Sequence, residues 1–150
     1  MQGISILWKG QKVYFNVLLK EEFVVGAYFS KYPLKKVVNR QSTEYLKNQL
    51  EQYFSGYKVN FNCKILPKVS FFVLSVLEIV KEIPYGNTRT YSDIAKKLNT
   101  SPRAVGQALK RNPIPVIIPC HRVVAKNGIG GFSYGVELKK ALLKLEGLNY

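Results

Sequence analysis

The hydrophobic pattern of this chain changes at Leu66-Pro67, and that change limits its possible folds more than any other feature. Before it, three runs rich in β-branched and aromatic residues are separated by polar turn segments: Ile4–Trp8, Val13–Leu19 and Phe23–Phe29. Such runs predict a small antiparallel sheet. After it, apolar residues recur every three or four positions, as in amphipathic helices. We therefore expect an α+β protein of two domains, residues 1–66 and 67–150.

One helix and one further strand are expected to complete the first domain. The helix covers Thr43–Phe54, where Leu46 and Leu50 lie one helical turn apart and Gly56 follows as a stop signal. The strand covers Val59–Ile65. No motif in residues 1–66 carries chemistry, so we expect this domain to be a structural scaffold.

The second domain is expected to be helical and to contain a helix-turn-helix. Phe71–Ile83 has the apolar spacing of a leading helix. Thr90 and Asp93 have the spacing of a capping box, and Ser101-Pro102 supplies an N-cap followed by proline at the first helical position. The result is two short helices joined by a tight turn, the outline of a DNA-binding motif.

The second of these short helices has a basic, partly thin face. The residues on or beside that face are Arg103, Ala104, Gly106, Gln107, Lys110 and Arg111. At about 100° per residue they lie away from the apolar position Val105. Because Ala104 and Gly106 are small, the helix backbone could approach DNA closely while the basic side chains meet phosphates. An ordinary helical hairpin with a solvated basic face would carry the same residues.

The net charge favours a polyanionic partner. Ten basic and four acidic residues give +6 in residues 1–66, and thirteen and five give +8 in residues 67–150, a total of +14. A field of this size favours nucleic acid, although a lysine-rich, solubilising surface would have the same composition. A hydrophobic fraction of 47% is enough for a packed core, so disorder is not expected.

The small number of cysteine and histidine residues excludes several classes of protein. Two cysteines do not make a disulfide framework, and with a single histidine they cannot form a closed zinc site. No apolar run approaches the ~20 residues of a membrane span, and the N-terminus lacks the plan of a signal peptide. We expect a cytoplasmic monomer without a metal or other cofactor and without an obligate protein partner.

The chain's one histidine follows a cysteine, in Pro119-Cys120-His121-Arg122 between two aliphatic pairs. A thiol becomes a useful nucleophile only as thiolate, which needs a nearby base or positive field. Adjacent side chains on a strand point to opposite faces, so His121 could reach Cys120 only across a turn or through a water. A buried strand with an inert cysteine is the alternative interpretation.

Two further features follow the Cys-His segment. Four glycines fall within residues 128–135, which allows close approach to a ligand, although a mobile surface loop would look the same. The last helix is expected over Val136–Glu146. Glu146 lies at the end of that helix where a negative charge is unfavourable, which indicates a partner such as His121; an exposed glutamate is the simpler interpretation.

Taken together, these segments resemble the O6-alkylguanine-DNA alkyltransferases, a family that repairs alkylated guanine directly. Pro119-Cys120-His121-Arg122 with its aliphatic flanks is similar to the family signature. Supporting matches follow in the family's order: Ile83–Thr88, Thr90–Ala95, Arg103–Gly106, Asn112-Pro113, Gly130–Gly135 and Leu145–Gly147. The resemblance implies a ribonuclease-H-like first domain, which matches only in general plan, and a winged-helix-like second one. The zinc ligands of some members are absent.

The resemblance also implies the reaction, repair of O6-alkylguanine in double-stranded DNA. The damaged nucleotide would rotate out of the duplex, because an atom inside a stacked pair is otherwise out of reach. Arg103 would fill the vacated space, and the helix that begins at Ser101 would lie in the minor groove. Cys120 would attack the alkyl carbon on O6 and retain the alkyl group, so that one protein molecule repairs one base.

The remaining roles implied by the resemblance surround Cys120. His121 would act as base through a water, Glu146 would orient the imidazole, and Asn112 would hold the turn. Tyr91 would donate to ring N3 of guanine. Other pocket contacts would come from the Ser133 amide, the Cys120 and Val123 carbonyls, and the side chains of Leu109, Pro115 and Tyr134.

Three other classes of protein are considered beside this one. A helix-turn-helix regulator without alkyl transfer explains the charge and the helices but gives Cys120 and Glu146 no role. An alkyltransferase-like damage-binding protein would lack the reactive cysteine. A cysteine hydrolase would turn over repeatedly, whereas the resemblance implies a single event per protein molecule.

Overall fold

The computed structural model describes residues 2–150 and divides the chain into two units. The first ends at Lys68 and the second is Val69–Tyr150, so the division falls two residues after the expected domain boundary. Across the described residues there are five α-helices and a three-stranded antiparallel sheet, which confirms the α+β class. None of the helices in residues 2–150 combines the length and the apolar character needed to cross a membrane.

The first unit is an antiparallel meander covered by one helix. Strands β1 (Gly3–Trp8), β2 (Val13–Lys20) and β3 (Phe23–Ser30) pair in sequence order, and α1 spans Gln41–Phe54. These are the expected strands and helix, with small shifts at the ends. Phe54 of α1 contacts the sheet, with its ring centroid 5.1 Å from that of Trp8 and 5.4 Å from that of Phe15.

The expected strand over Val59–Ile65 is wrong. Only Ile65 pairs with β3, in an isolated bridge to Val24. The preceding residues are held by α1 instead, since Gln49 Nε2 donates to the Asn60 carbonyl at 3.2 Å and the Phe61 ring lies 5.6 Å from Tyr53. Side-chain contacts with the helix therefore replace the hydrogen bonds that a fourth strand would have made.

The second unit is built from four helices and one short parallel strand pair. Its elements are α2 (Phe71–Lys81), β4 (Arg89–Thr90), α3 (Tyr91–Leu98), α4 (Pro102–Leu109), β5 (Val123–Val124) and α5 (Val136–Leu145). Strand β4 pairs with β5 in parallel. The start of α3 is thereby brought beside the segment that follows the Cys-His motif.

The capping signals for α3 and α4 operate as expected. The Asp93 amide donates to Thr90 Oγ1 at 3.1 Å, and the Thr90 amide donates to the Asp93 carboxylate at 2.9 Å. Ser101 Oγ accepts from the Ala104 amide at 3.1 Å, with Pro102 at the first helical position. Asn99 adopts the left-handed conformation between the helices, and so completes the helix-turn-helix.

Candidate active site

The backbone folds tightly just before the cysteine. Val116 has φ +73° and is 1% exposed, and the Ile117 amide donates to the Pro115 carbonyl across it at 2.9 Å. A β-branched residue in this conformation is strained, and burial of its side chain holds it there. Asn112 fixes both ends of the turn by donating to the Ile118 carbonyl at 2.9 Å and accepting from the Ile114 amide at 3.0 Å.

Cys120 begins a 3₁₀ turn, Cys120–Arg122, and does not lie in a strand. Successive side chains of such a turn point about 120° apart. His121 is fully buried, whereas Cys120, 9% exposed, faces an open pocket. The alternative that Cys120 lies in a buried strand is therefore wrong.

The pocket has a volume of about 820 Å³ and lies between α4, the first residue of α3 and the glycine loop, residues 128–135. Its lining residues are Tyr91, Pro102, Arg103, Gly106, Gln107, Leu109, Lys110, Cys120, Gly131, Phe132 and Ser133. Cys120 and seven other expected site residues are thus brought together at one pocket.

Glu146 is the polar centre behind the cysteine, and its side chain is fully buried. Oε2 accepts from His121 Nε2 at 2.7 Å and from Arg122 Nη2 at 3.1 Å. Oε1 accepts from Arg122 Nε at 2.9 Å and from the Gly86 amide at 3.0 Å. The expected pairing of Glu146 with His121 is present, and Arg122 joins it.

This arrangement defines the charge states of the buried groups. Burial alone would raise the pKa of Glu146, but the hydrogen bonds and charges of His121 and Arg122 outweigh it and lower that pKa to about 2. Burial lowers the pKa of His121 despite its bond to Glu146. The ion pair is therefore Arg122–Glu146, and a neutral His121 donates from Nε2, which makes Nδ1 the basic ring nitrogen.

The cysteine is a thiol at rest. Burial raises the pKa of Cys120, although a hydrogen bond from Asn112 and the positive charge of Lys139 act in the opposite direction. The effect of burial on the sulfur therefore outweighs that of the groups that stabilise its thiolate. Any attack by this sulfur must therefore be coupled to loss of its proton.

Tyr91, the first residue of α3, presents its hydroxyl to the pocket wall. Burial raises the pKa of Tyr91, so the phenol stays protonated and able to donate. Gly130 has φ +78° and packs so closely on this ring that an added Cβ would lie 2.6 Å from the Tyr91 hydroxyl oxygen. The glycine loop is therefore fitted to the tyrosine.

Several of the expected site residues do not line this pocket. Pro115 is buried in the tight turn, and the Val123 carbonyl accepts from Lys139 Nζ at 2.7 Å. Tyr134 is 38% exposed, with its ring 5.8 Å from that of Phe132. Ser101 caps α4, and Ala104 and Arg111 also lie outside the lining.

Two functional candidates were missed from the sequence, Phe132 and Lys139. Phe132 lines the pocket, and Lys139 is fully buried behind it. Lys139 precedes the buried Leu142 and Leu143 by three and four positions, a spacing that places all three on one helix face. That spacing could have revealed the lysine.

The described residues, 2–150, contain no group of three or more His, Cys, Asp or Glu side chains able to hold a metal ion.

Comparisons with known proteins agree on one family. The family model described as the DNA-binding domain of 6-O-methylguanine DNA methyltransferase matches residues 71–148. The methylated-DNA--protein-cysteine methyltransferase of Archaeoglobus fulgidus is 52% identical over 96% of this chain and 98% of its own length.

Solved structures show the same likeness. The crystal structure of Mycobacterium tuberculosis O6-methylguanine methyltransferase is similar with a TM-score of 0.80 and 27% identity, covering 95% of this chain and 90% of the other. A crystal structure of Mycobacterium tuberculosis OGT in complex with DNA is similar with a TM-score of 0.75 and 28% identity, covering 89% and 87%. With a buried Cys-His-Glu arrangement, a helix-turn-helix and relatives of this length and identity, the chain belongs to the methylated-DNA--protein-cysteine methyltransferase family.

Proposed function

We propose that this chain repairs O6-alkylguanine in double-stranded DNA by transferring the alkyl group irreversibly to Cys120. The observation that carries the proposal is the position of Cys120, which opens onto an 820 Å³ pocket beside α4 while the next residue, His121, is buried and paired with Glu146. A pocket of this size accommodates one everted purine. The full-length relatives named above support the same activity.

The proton of the thiol leaves as the new bond forms. A water relays it from Cys120 to Nδ1 of His121, because Nε2 is already bonded to Glu146 at 2.7 Å. The imidazolium that forms is stabilised by the Glu146 carboxylate, whose low pKa keeps it charged. The positive charge of Arg122 lowers the pKa of His121, which keeps the imidazole neutral before the reaction. It does not prevent the imidazole from taking the proton during the reaction.

The alkyl carbon moves from oxygen to sulfur in one displacement. The sulfur–carbon bond forms as the carbon–O6 bond breaks, and the electron pair of the broken bond passes to the guanine. Donors stabilise that developing charge, and we assign this role to the Tyr91 hydroxyl and the Ser133 backbone amide. The product is a thioether on Cys120, so each protein molecule acts once.

DNA contact is assigned to α4, which forms one wall of the pocket. Arg103, Gln107 and Lys110 lie on the exposed face of α4 and line the entrance. Arg103 then fills the space that the everted base leaves, and the small residue Gly106 allows the helix backbone to approach the minor groove. Binding of the whole duplex draws on the net charge of +14.

The finer fold assignments belong to the same proposal. The three-stranded antiparallel sheet with α1 supports a ribonuclease-H-like first unit, and α3 and α4 beside the β4–β5 pair support a winged-helix-like second one. We assign residues 1–66 a structural role and residues 67–150 the chemistry. The protein acts as a monomer in the compartment that holds the DNA, the cytoplasm of a cell without a nucleus.

A label-transfer experiment tests the function. The protein is incubated with duplex DNA that carries O6-methylguanine with tritium in the methyl group, and the label is mapped after digestion of the protein. We expect one methyl group per protein molecule, located on Cys120, in a single burst. Cys120→Ser should abolish transfer while binding the duplex, and Cys63→Ser should transfer as the wild type does.

The outcome separates the proposal from its rivals. Tight, sequence-dependent binding with no labelled protein would support the regulator without alkyl transfer. Release of free methanol over many cycles would instead indicate a hydrolase.

A further inference from the structure

Lys139 is a fully buried lysine that the reaction as described does not use. It lies on α5 with 0% exposure, and a lysine is rarely fully buried unless its ammonium group has partners. Its Nζ donates to the Val123 carbonyl at 2.7 Å and to the Gly131 carbonyl at 2.9 Å. Val123 directly follows the Cys120–Arg122 turn, and Gly131 belongs to the pocket wall. One ammonium group therefore connects the segment that carries the nucleophile to the opposite wall.

The same ammonium lies beside the reacting groups. Its Nζ is 5.7 Å from the centroid of the Tyr91 ring. Burial lowers the pKa of Lys139 to about 8, and the nearby Cys120 acts to raise it. Lysine is therefore still charged at neutral pH, in surroundings where a charge acts over several ångströms with little screening.

The groups that face Lys139 come from two elements. Tyr91 is contributed by α3, and Cys120 and His121 are contributed by the turn. Neither Tyr91 nor His121 is charged at rest, because burial raises the pKa of the phenol and lowers that of the imidazole. During attack the sulfur loses its proton and His121 receives it. The positive charge of Lys139 favours the first change, because it lowers the pKa of Cys120, and opposes the second, because it also lowers the pKa of His121.

We propose that Lys139 is a positioning residue for alkyl transfer, which fastens the segment after Cys120 to the glycine loop and places a buried positive charge where it stabilises the Cys120 thiolate during attack. This inference rests on the proposed function for its biological meaning. The charge effect itself concerns the thiol and can be measured without DNA.

The test follows the alkylation of Cys120 by iodoacetamide from pH 6 to pH 10, in a Cys63→Ser background so that one thiol reports. Lys139→Met and Lys139→Gln remove the charge, Lys139→Arg keeps it, and Lys140→Met is the matched control from the exposed side of α5. Loss of about one pKa unit of stabilisation slows the reaction about tenfold at pH 7. The difference should shrink above pH 8, where Lys139 of the wild type loses its proton.

The Gln and Arg variants keep the test decisive if Lys139→Met fails to fold, as judged by circular dichroism. A slow Gln variant with a fast Arg variant supports the charge effect. Folded Met or Gln variants with the wild-type rate at pH 7 overturn it, and so does an equal loss in the Arg and Gln variants that is constant with pH. A wild type that shows the expected pH behaviour but transfers no methyl group from DNA refutes the proposed function and leaves the role of Lys139 intact.

Discussion

Gly130 packs directly against Tyr91 of the candidate site, in a backbone conformation that favours glycine. Its φ of +78° lies in the left-handed region, and its missing side chain leaves room for the Tyr91 hydroxyl. Any Cβ there would meet the tyrosine at 2.6 Å, with the ring carbons Cε2 and Cζ at 2.9 and 3.2 Å. Backbone conformation and side-chain space therefore both require glycine.

Gly130→Ala should destabilise the protein by about 1–3 kcal/mol and slow methyl transfer, because the loop must move away from Tyr91. The free energy of unfolding is measured in urea, and the transfer rate in a single turnover. Gly128→Ala is the matched control, since nothing lies within 4 Å of its Cβ and its φ is not positive. Equal stability and equal rates in the two variants would contradict the proposed fit.

Helix α4, to which we assign the contact with DNA, contains a residue that weakens the helix. Gly106 lies in the interior of Pro102–Leu109, where glycine costs about 0.5–1 kcal/mol relative to alanine. An added Cβ would lie 3.9 Å from Tyr91 Cε1, which is ordinary contact. Space inside the protein therefore does not explain the glycine, whereas the proposed close approach of DNA would explain it.

Gly106→Ala should raise the stability of the protein by about 0.5–1 kcal/mol and weaken its binding to duplex DNA. Thermal unfolding measures the first effect and fluorescence anisotropy with a labelled duplex measures the second. A variant that gains stability and binds DNA as tightly as the wild type would show that α4 does not lie in the groove. Gly128→Ala should change neither quantity, because Gly128 is outside the pocket lining.

Helices that are specified by residues close together in the sequence could be predicted from it. The contacts between distant residues that replace an expected strand could not. The capping box of α3, the N-cap of α4 and the apolar spacing predicted these two helices because such interactions join residues three or four positions apart. The expected strand over Val59–Ile65 failed because contacts of Gln49 and Tyr53 with that segment are formed only after the chain has folded.

Glu146 joins distant parts of the second unit. Its carboxylate accepts one hydrogen bond from Gly86, one from His121 and two from Arg122. Arg122 also donates to the Ile83 carbonyl at 2.8 Å. The segments that follow α2 and α5 and the turn Cys120–Arg122 therefore meet at one carboxylate. Because that carboxylate has no exposed surface, the pairing is protected from screening by solvent.

Glu146→Gln should remove a part of the stability that depends on acidity. The folded pKa of about 2 lies below the unfolded value near 4.3, so the contribution is complete above about pH 4.3 and is lost as the pH falls toward 2. A shift of roughly two units corresponds to about 3 kcal/mol. The variant should be destabilised by about that amount at pH 7, since the guanidinium of Arg122 is left buried without its partner.

The difference between the two proteins in urea unfolding should shrink between pH 4 and pH 2.5. Glu137→Gln, an exposed residue of the same helix, serves as the control and should follow the wild type throughout. A difference that stays constant over this range would mean that the Glu146 carboxylate does not titrate as its contacts require.

The amino-acid sequence by itself determined the three strands of the sheet, the helix-turn-helix and the placement of a cysteine next to a histidine. Each of these features depends on residues close together in the chain. Only the tertiary structure decided that Cys120 is a thiol at rest, that Lys139 donates to the carbonyls of Val123 and Gly131, and that Arg122 shares Glu146 with His121. These properties depend on burial and on contacts between residues up to 60 positions apart, as between Gly86 and Glu146. Such distances in sequence leave no periodic signal, so the charge states of the site follow from the fold alone.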